Sequence, residues 1–198
     1  MIRRWLALTY YLYALRLAAL SHFYFNPLYM EKIMNFWRIK MYPGGDTAWG
    51  EDNLPWILEN KGFIGMGKWH VSQEQNETFV KQMKTGDIVG VMIYDRLVAL
   101  VQVTAPAVEL DSERIEHPDG YWHWVLGEND NLKWLVYRRP VRVLDWNIGN
   151  VRPAVDAGRS ATLVRCADLD APSNKAIVDW FKDVRASFEK RGIAQLLD

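Results

Sequence analysis

The feature of the sequence that most restricts the fold is a hairpin in the middle of the chain. Two apolar runs, residues 88–94 and 97–108, are separated only by Asp95 and Arg96. Runs joined by so short a polar turn predict two adjacent antiparallel strands. An isolated hairpin is marginally stable in water, so further strands or a covering helix must come from the rest of the chain.

Several shorter segments with apolar periodicity supply those elements. The predicted strands besides the hairpin cover residues 35–41, 63–67, 132–137, 141–146 and 161–166. The predicted helices cover residues 54–60, 73–83 and about 171–190, the last with Ser173 as its cap. Five or six short strands with two or three helices predict an α+β fold, a small mixed β-barrel with flanking helices.

The length and composition fit one well-buried domain with a small appendage. The chain has 198 residues, of which 49% are hydrophobic and 24% charged, values typical of a soluble globular protein. The single cysteine, Cys166, excludes an intramolecular disulfide and fits a reducing cytoplasm. We therefore expect a cytoplasmic protein with one domain over residues 34–198, including the C-terminal helix.

Charge restricts how such a domain can hold nucleic acid. The 24 basic and 24 acidic residues of the chain cancel, but residues 1–33 carry four basic and one acidic residue, which leaves residues 34–198 slightly acidic. A protein that grips nucleic acid mainly through phosphates is strongly basic. Any nucleic-acid role of this domain must therefore depend on a local patch and on contacts to bases.

We interpret residues 1–33 as an N-terminal extension. Arg3 and Arg4 precede an apolar stretch, but Arg16 interrupts it and its tyrosines make it interfacial in character. Three interpretations stay open: a helix or irregular arm outside the core domain, an upstream start codon with Met34 as the genuine start, or a membrane anchor. We expect no membrane partner for the domain itself.

Motifs for catalysis and metal binding are weak. The four histidines form no HExxH motif, one cysteine excludes a CxxC zinc site, and neither a GxSxG motif nor a Walker loop occurs. Gly62, Gly65 and Gly67 lack the Lys-Ser/Thr end of a phosphate-binding loop, so a strand packed near a ligand explains them better. Cys166 lies in an apolar strand, as a buried structural thiol does. The sequence predicts no enzyme, no cofactor and no metal.

The order of the elements resembles a known family. The opening strand contains Phe36-Trp37-Arg38-Ile39-Lys40, a helix ends in Met83-Lys84-Thr85-Gly86-Asp87, and the hairpin returns as 99–103 (ALVQV) before a loop rich in tryptophan. This pattern resembles the EVE domain family and its YTH and restriction-associated relatives, over about residues 34–146. The resemblance implies a PUA-like barrel without enzymatic activity of its own.

The resemblance also implies a base pocket. In such relatives a flipped base enters a cage built from the second strand and from the loop after the hairpin. These positions correspond here to Gly65 and Met66, with Trp69 just beyond them, and to Trp122 and Trp124; Tyr42 and Trp49 are further candidates. YTH proteins have a tryptophan where residues 64–66 stand here, so N6-methyladenine specificity is not implied. Flipping a base out of a duplex costs a few kcal/mol, and stacking of the base on aromatic rings offsets about 1–3 kcal/mol of that cost.

Other residues have competing interpretations. Trp122 and Trp124 either line the pocket or anchor a long loop, whereas Trp134 and Trp146 lie on predicted strands and are assigned to the core. The predicted phosphate contacts are Arg138, Arg139 and Arg142, and the alternative is an ordinary solvated edge.

Three functional hypotheses remain open at this point. The first is a reader of a methylated or hydroxymethylated base, in DNA more than RNA, in a prokaryotic defence setting with a separate nuclease or NTPase effector. The second is a PUA-like RNA-binding protein. The third is a small-molecule-binding or hydrolytic enzyme related to ASCH-type proteins, which requires a converging Lys–Glu or Lys–Thr pair.

Overall fold

The computed structural model of the protein describes residues 34–42, 46–67, 73–110, 132, 134–155 and 161–197. Its strands are Phe36–Lys40 (β1), Phe63–Met66 (β2), Ile88–Ile93 (β3), Arg96–Val103 (β4), Val108–Glu109 (β5), Tyr137–Trp146 (β6) and Leu163–Arg165 (β7). Its α-helices are Thr47–Trp56 (α1), Gln73–Glu77 (α2) and Pro172–Lys190 (α3). Two π-helical turns continue α1 and α2, at Ile57–Lys61 and Thr78–Gln82.

The seven strands form one mixed sheet. Their order is β2-β6-β4-β3-β1-β7, and β5 pairs with β6. Strands β1 and β3 run parallel, and the other pairs of neighbouring strands in this part of the chain are antiparallel. The sheet curls into a half-barrel flanked by helices, which confirms the predicted α+β class.

The hairpin lies where the sequence predicts it. Strand β3 ends at Ile93, and β4 begins at Arg96 after a tight turn in which Tyr94 has a φ of 57°. Strand β4 is shorter than predicted because it stops at Val103, before Pro106. The chain re-enters the sheet as the two-residue strand β5.

Strand β6 corrects the prediction of two strands separated by residues 138–140. The strand continues through Pro140, where its partners change: the first half pairs with β2 and β5, the second with β4. Pro140 lacks an amide hydrogen, but its carbonyl still accepts from Thr104 N at 3.0 Å, while Val141 N donates to Gly62 O at 2.8 Å. The proline therefore stands at a position where the sheet needs no amide donor.

Strand β1 is buried on both faces. Trp37, Ile39 and Met41 point into the main hydrophobic core, whereas Phe36 packs edge-on against Phe181 of α3, with ring centroids 5.7 Å apart. A strand covered on both sides does not show a strict apolar–polar alternation. Because α3 covers the second face at Phe36, this residue, and not Trp37, departs from the alternation.

The carboxylate of Asp87 joins two segments of the chain in the interior. It accepts hydrogen bonds from Asn35 N (3.0 Å), Asn35 Nδ2 (3.1 Å), Trp37 Nε1 (2.7 Å) and Lys84 N (2.9 Å). Asp87 is 2% exposed, so these bonds replace its hydration. The aspartate that ends the 83–87 motif therefore ties the start of β1 to the turn before β3.

Helix α2 begins at Gln73 as predicted, whereas α1 begins elsewhere and α3 has a different cap. Helix α1 starts at Thr47, seven residues earlier than expected, because the Asp46 carboxylate accepts from Trp49 N at 3.0 Å. Its π-helical continuation ends, as predicted, at a left-handed Gly62 with a φ of 63°. Helix α3 has Pro172 in its first turn and no side-chain cap, so the prediction of a Ser173 cap is wrong.

Candidate functional site

The described part of the chain contains four of the seven predicted pocket residues: Tyr42, Trp49, Gly65 and Met66. The other three lie outside the described residues: Trp69, Trp122 and Trp124. The four described residues fall at one end of α1 and on β2. The contacts of each residue show whether its side chain is available to a ligand or belongs to the core.

A pair of tryptophans is the most distinctive feature of this region. The rings of Trp49 and Trp134 meet edge to face, with centroids 5.2 Å apart and an interplanar angle of 71°. Both residues are half-buried and rest on the main core. Two indoles at this angle form a corner, in which a planar ligand can stack on one ring and contact the edge of the other.

Local structure holds each ring in place. Trp49 lies in the first turn of α1, which the Asp46 cap fixes. Trp134 lies in a tight turn before β6, in which Leu135 N donates to Leu132 O and Val136 N donates to Trp134 O, each at 3.0 Å. Separate parts of the chain therefore bring the two rings together.

Gly65 brings β2 close to the turn that carries Trp134. A β-carbon at Gly65 would lie 3.0 Å from Tyr137 O and 3.2 Å from the Leu135 side chain. Because glycine has no side chain, the turn can pack directly on β2 at this position. Met66 is fully buried in the core and belongs to the packing around this strand.

The β-carbon of Tyr42 lies next to the start of α1. This atom lies 3.3 Å from the β-carbon position of Gly50, the residue after Trp49. Burial raises the pKa of the Tyr42 hydroxyl above its ordinary value, and a hydrogen bond with the Tyr94 main chain opposes that effect. The hydroxyl is thus protonated at neutral pH. Because this hydroxyl lies beside Tyr94 and Asp95, we restrict the name ring cluster to Trp49 and Trp134, whose rings are in contact.

The three predicted phosphate contacts have different environments. Arg138 and Arg139 are each 1% exposed, and their guanidinium groups donate to main-chain carbonyl oxygens. Burial lowers the pKa of Arg139 to about 10, and the charge of Asp87 opposes this shift. Such burial does not fit a phosphate contact, since phosphates stay in water at the protein surface. We therefore correct that assignment for these two residues.

Arg142 is only partly buried, and a phosphate contact there stays a prediction. Its Nε donates to Gln102 Oε1 at 2.9 Å, and Gln102 Nε2 donates in turn to Leu197 O at 2.9 Å. The arginine thus belongs to a chain of hydrogen bonds that docks the C-terminal residues on β4.

The described residues offer little for catalysis. Cys166 is buried, and this burial raises the pKa of its thiol to about 11, so hardly any thiolate exists at neutral pH. No cluster of three or more metal-binding side chains occurs within the described ranges. In that same part of the chain, no helix has the length and apolar character needed to cross a membrane.

Trp134 is half-buried against the core, which agrees in part with its sequence-based assignment, but the predicted strand position is wrong. The observed strand begins only at Tyr137. A usable signal was present, because Trp134 closely follows the long polar segment 109–131, and a tryptophan at the end of such a segment is a candidate for partial exposure.

Comparisons with known proteins give likenesses to solved structures and no match in sequence. Neither a protein-family model nor a curated protein sequence matches the chain. Among solved structures, the chain is similar to the YTH domain of the Zygosaccharomyces rouxii MRB1 protein in complex with N6-methyladenosine RNA, at 14% identity and a TM-score of 0.36, over 75% of this chain and 87% of that one. A TM-score this low does not decide between folds or ligands.

Proposed function

We propose that residues 34–198 form a non-catalytic module that binds nucleic acid by holding one modified base at the ring cluster. The observation that carries this proposal is the half-buried corner of Trp49 and Trp134. Aromatic side chains bind bases through stacking, a contact worth about 1–3 kcal/mol per base. The packed turn and the capped helix hold both rings before a ligand arrives, so little entropy is lost on binding.

The charge of the domain favours base recognition over a general grip on phosphates. Two of its arginines are inside the fold and bound to carbonyl oxygens. With a slightly acidic domain, plain nucleic acid gains little from counterion release. Affinity must then come from the base itself, and a methyl or hydroxymethyl group adds contact area to a stacked ring.

The finer identity of the ligand belongs to the same proposal. The resemblance of the sequence to EVE domains and to restriction-associated readers favours DNA over RNA and a prokaryotic defence setting. A separate nuclease or NTPase then acts on the bound site. The module works in the cytoplasm, where its single cysteine stays reduced.

Substitution of one ring tests the proposed site. We expect Trp49→Ala to weaken binding of the preferred modified oligonucleotide by about 1–3 kcal/mol, the value of a lost base stack, and to change binding of the plain oligonucleotide much less. Fluorescence anisotropy with labelled oligonucleotides measures both affinities.

The same helix offers a matched control. Trp56 is 45% exposed, and the ammonium group of Lys61 lies 5.3 Å from its ring centroid, outside the ring cluster. Trp56→Ala removes an indole of the same size and is expected to leave the preference for the modified base intact. Equal affinities of the Trp49→Ala variant and the parent protein for the modified oligonucleotide would show that the ring cluster is not the binding site.

A further inference from the structure

Arg138 contacts the main chain of the turn that carries Trp134. Its Nε donates to Leu135 O at 3.0 Å and its Nη2 to Leu132 O at 3.1 Å, so one guanidinium group bridges carbonyls on both sides of Trp134. The same group lies over the ring of Phe63, 4.6 Å from its centroid. A rigid planar fork can hold two acceptors at once, which the single ammonium group of lysine does less well.

We propose that Arg138 is a positioning residue of the ring cluster: it fixes the main chain at Leu132 and Leu135 so that Trp134 meets Trp49. This inference rests on the proposed function for its consequence in binding, but its structural part stands without it. Arg138 acts through the main chain that carries Trp134, because its two hydrogen bonds to the turn go to carbonyl oxygens.

The surroundings of Arg138 show why a buried cation stands here. Burying a guanidinium group costs free energy unless its donors are bonded, and replacing it by an apolar residue would take one donor from each of two carbonyls of the turn. Gly65 packs against the turn from the strand side, with its β-carbon position 3.2 Å from the Leu135 side chain. Arg138 and Gly65 thus define the position of the same turn.

The neighbouring arginine is a matched control. Arg139 is also 1% exposed and also donates to carbonyl oxygens, but these belong to Phe79, Val80 and Ala105. Substitution of Arg139 also removes buried hydrogen bonds, but the carbonyls of Leu132 and Leu135 keep their donors. A difference between the two variants therefore reports positioning, whereas a similar loss reports stability alone.

The test compares Arg138→Lys with Arg139→Lys by circular dichroism. Two indoles at close range couple their electronic transitions and produce an exciton couplet, a pair of bands of opposite sign in the ultraviolet circular dichroism spectrum; this is the paired band. Trp49→Phe removes one of the two indoles and so identifies the paired band by abolishing it. We expect Arg138→Lys to lose this band and Arg139→Lys to keep it. In binding, Arg138→Lys should lose on the order of tenfold in affinity for the modified oligonucleotide, similar to a lost stack, with plain oligonucleotide unchanged.

A second variant keeps the test decisive if Arg138→Lys does not fold. Gly65→Ala pushes on the same turn without removing a charge and should also lose the paired band. A band retained in every folded variant at positions 65 and 138 would overturn the inference. If the band is lost but the parent protein prefers no modified oligonucleotide, the positioning role stands and the proposed function fails.

Discussion

Replacement of Asp87 by alanine should destabilise the domain severely, by about as much as the truncation of a buried tryptophan does. The substitution leaves four donors without their acceptor, from Asn35, Trp37 and Lys84. The bond from Trp37 is buried and the other three are partly buried. An unsatisfied donor costs about 1–3 kcal/mol where water is excluded and less where water can reach it, so the four together are expected to cost about 4 kcal/mol. Domains of this kind are stable by only about 5–15 kcal/mol, and the variant should therefore melt far below the parent protein or not fold.

Two milder variants show whether the hydrogen bonds are the cause. Asp87→Asn keeps the size of the side chain but leaves one acceptor oxygen, and Trp37→Phe keeps a buried ring but removes the 2.7 Å donor. Both should lie between the parent protein and Asp87→Ala in urea denaturation. If Asp87→Ala unfolds at the same urea concentration as the parent protein, the interior network does not hold these segments together.

Replacement of Trp180 by alanine is expected to have a similarly large effect. Trp180 is fully buried in α3, and its Nε1 donates to Asp145 of β6 at 2.8 Å. Truncation of a buried tryptophan leaves a cavity that costs about 3–5 kcal/mol. The melting temperature should fall by many degrees, with α3 loosened from the sheet, as hydrogen exchange of the helix amides would show.

Trp180→Phe separates the cavity from the hydrogen bond. This variant keeps most of the buried ring and loses only the donor to Asp145, for an expected cost of about 1–2 kcal/mol. A Trp180→Ala variant as stable as the parent protein would mean that α3 is not packed on the sheet through this residue.

The elements that were predicted well from the sequence are those in which local pattern and tertiary packing agree. The hairpin of β3 and β4 has both its turn and its apolar runs within one short segment, and Gly62 ends a helix through its own backbone freedom. Strand β6 was predicted wrongly because two arginines and a proline look like a surface turn. Arg138 donates to the nearby carbonyls of Leu132 and Leu135, and Arg139 donates to Phe79, 60 positions earlier in the chain. Neither contact leaves an apolar pattern in the sequence.

The site was predictable only in part for the same reason. Trp49 follows a recognisable cap residue, and its candidacy came from its position in a loop next to a predicted strand. Its partner Trp134 lies 85 positions further along the chain and meets it only because β2 and β6 pair and Gly65 admits the turn. Contacts between residues so far apart are a property of the folded sheet.

The most direct measurement is a binding panel with the parent protein. Single-stranded and duplex oligonucleotides of DNA and RNA would carry one target base, either plain or as 5-methylcytosine, 5-hydroxymethylcytosine or N6-methyladenine, at several salt concentrations. We predict a preference of about tenfold or more for one modification, with a shallow dependence on salt because few phosphates are neutralised. Equal binding of all plain and modified bases, with a slope of about six or more released ions, would contradict base reading and indicate a general phosphate binder.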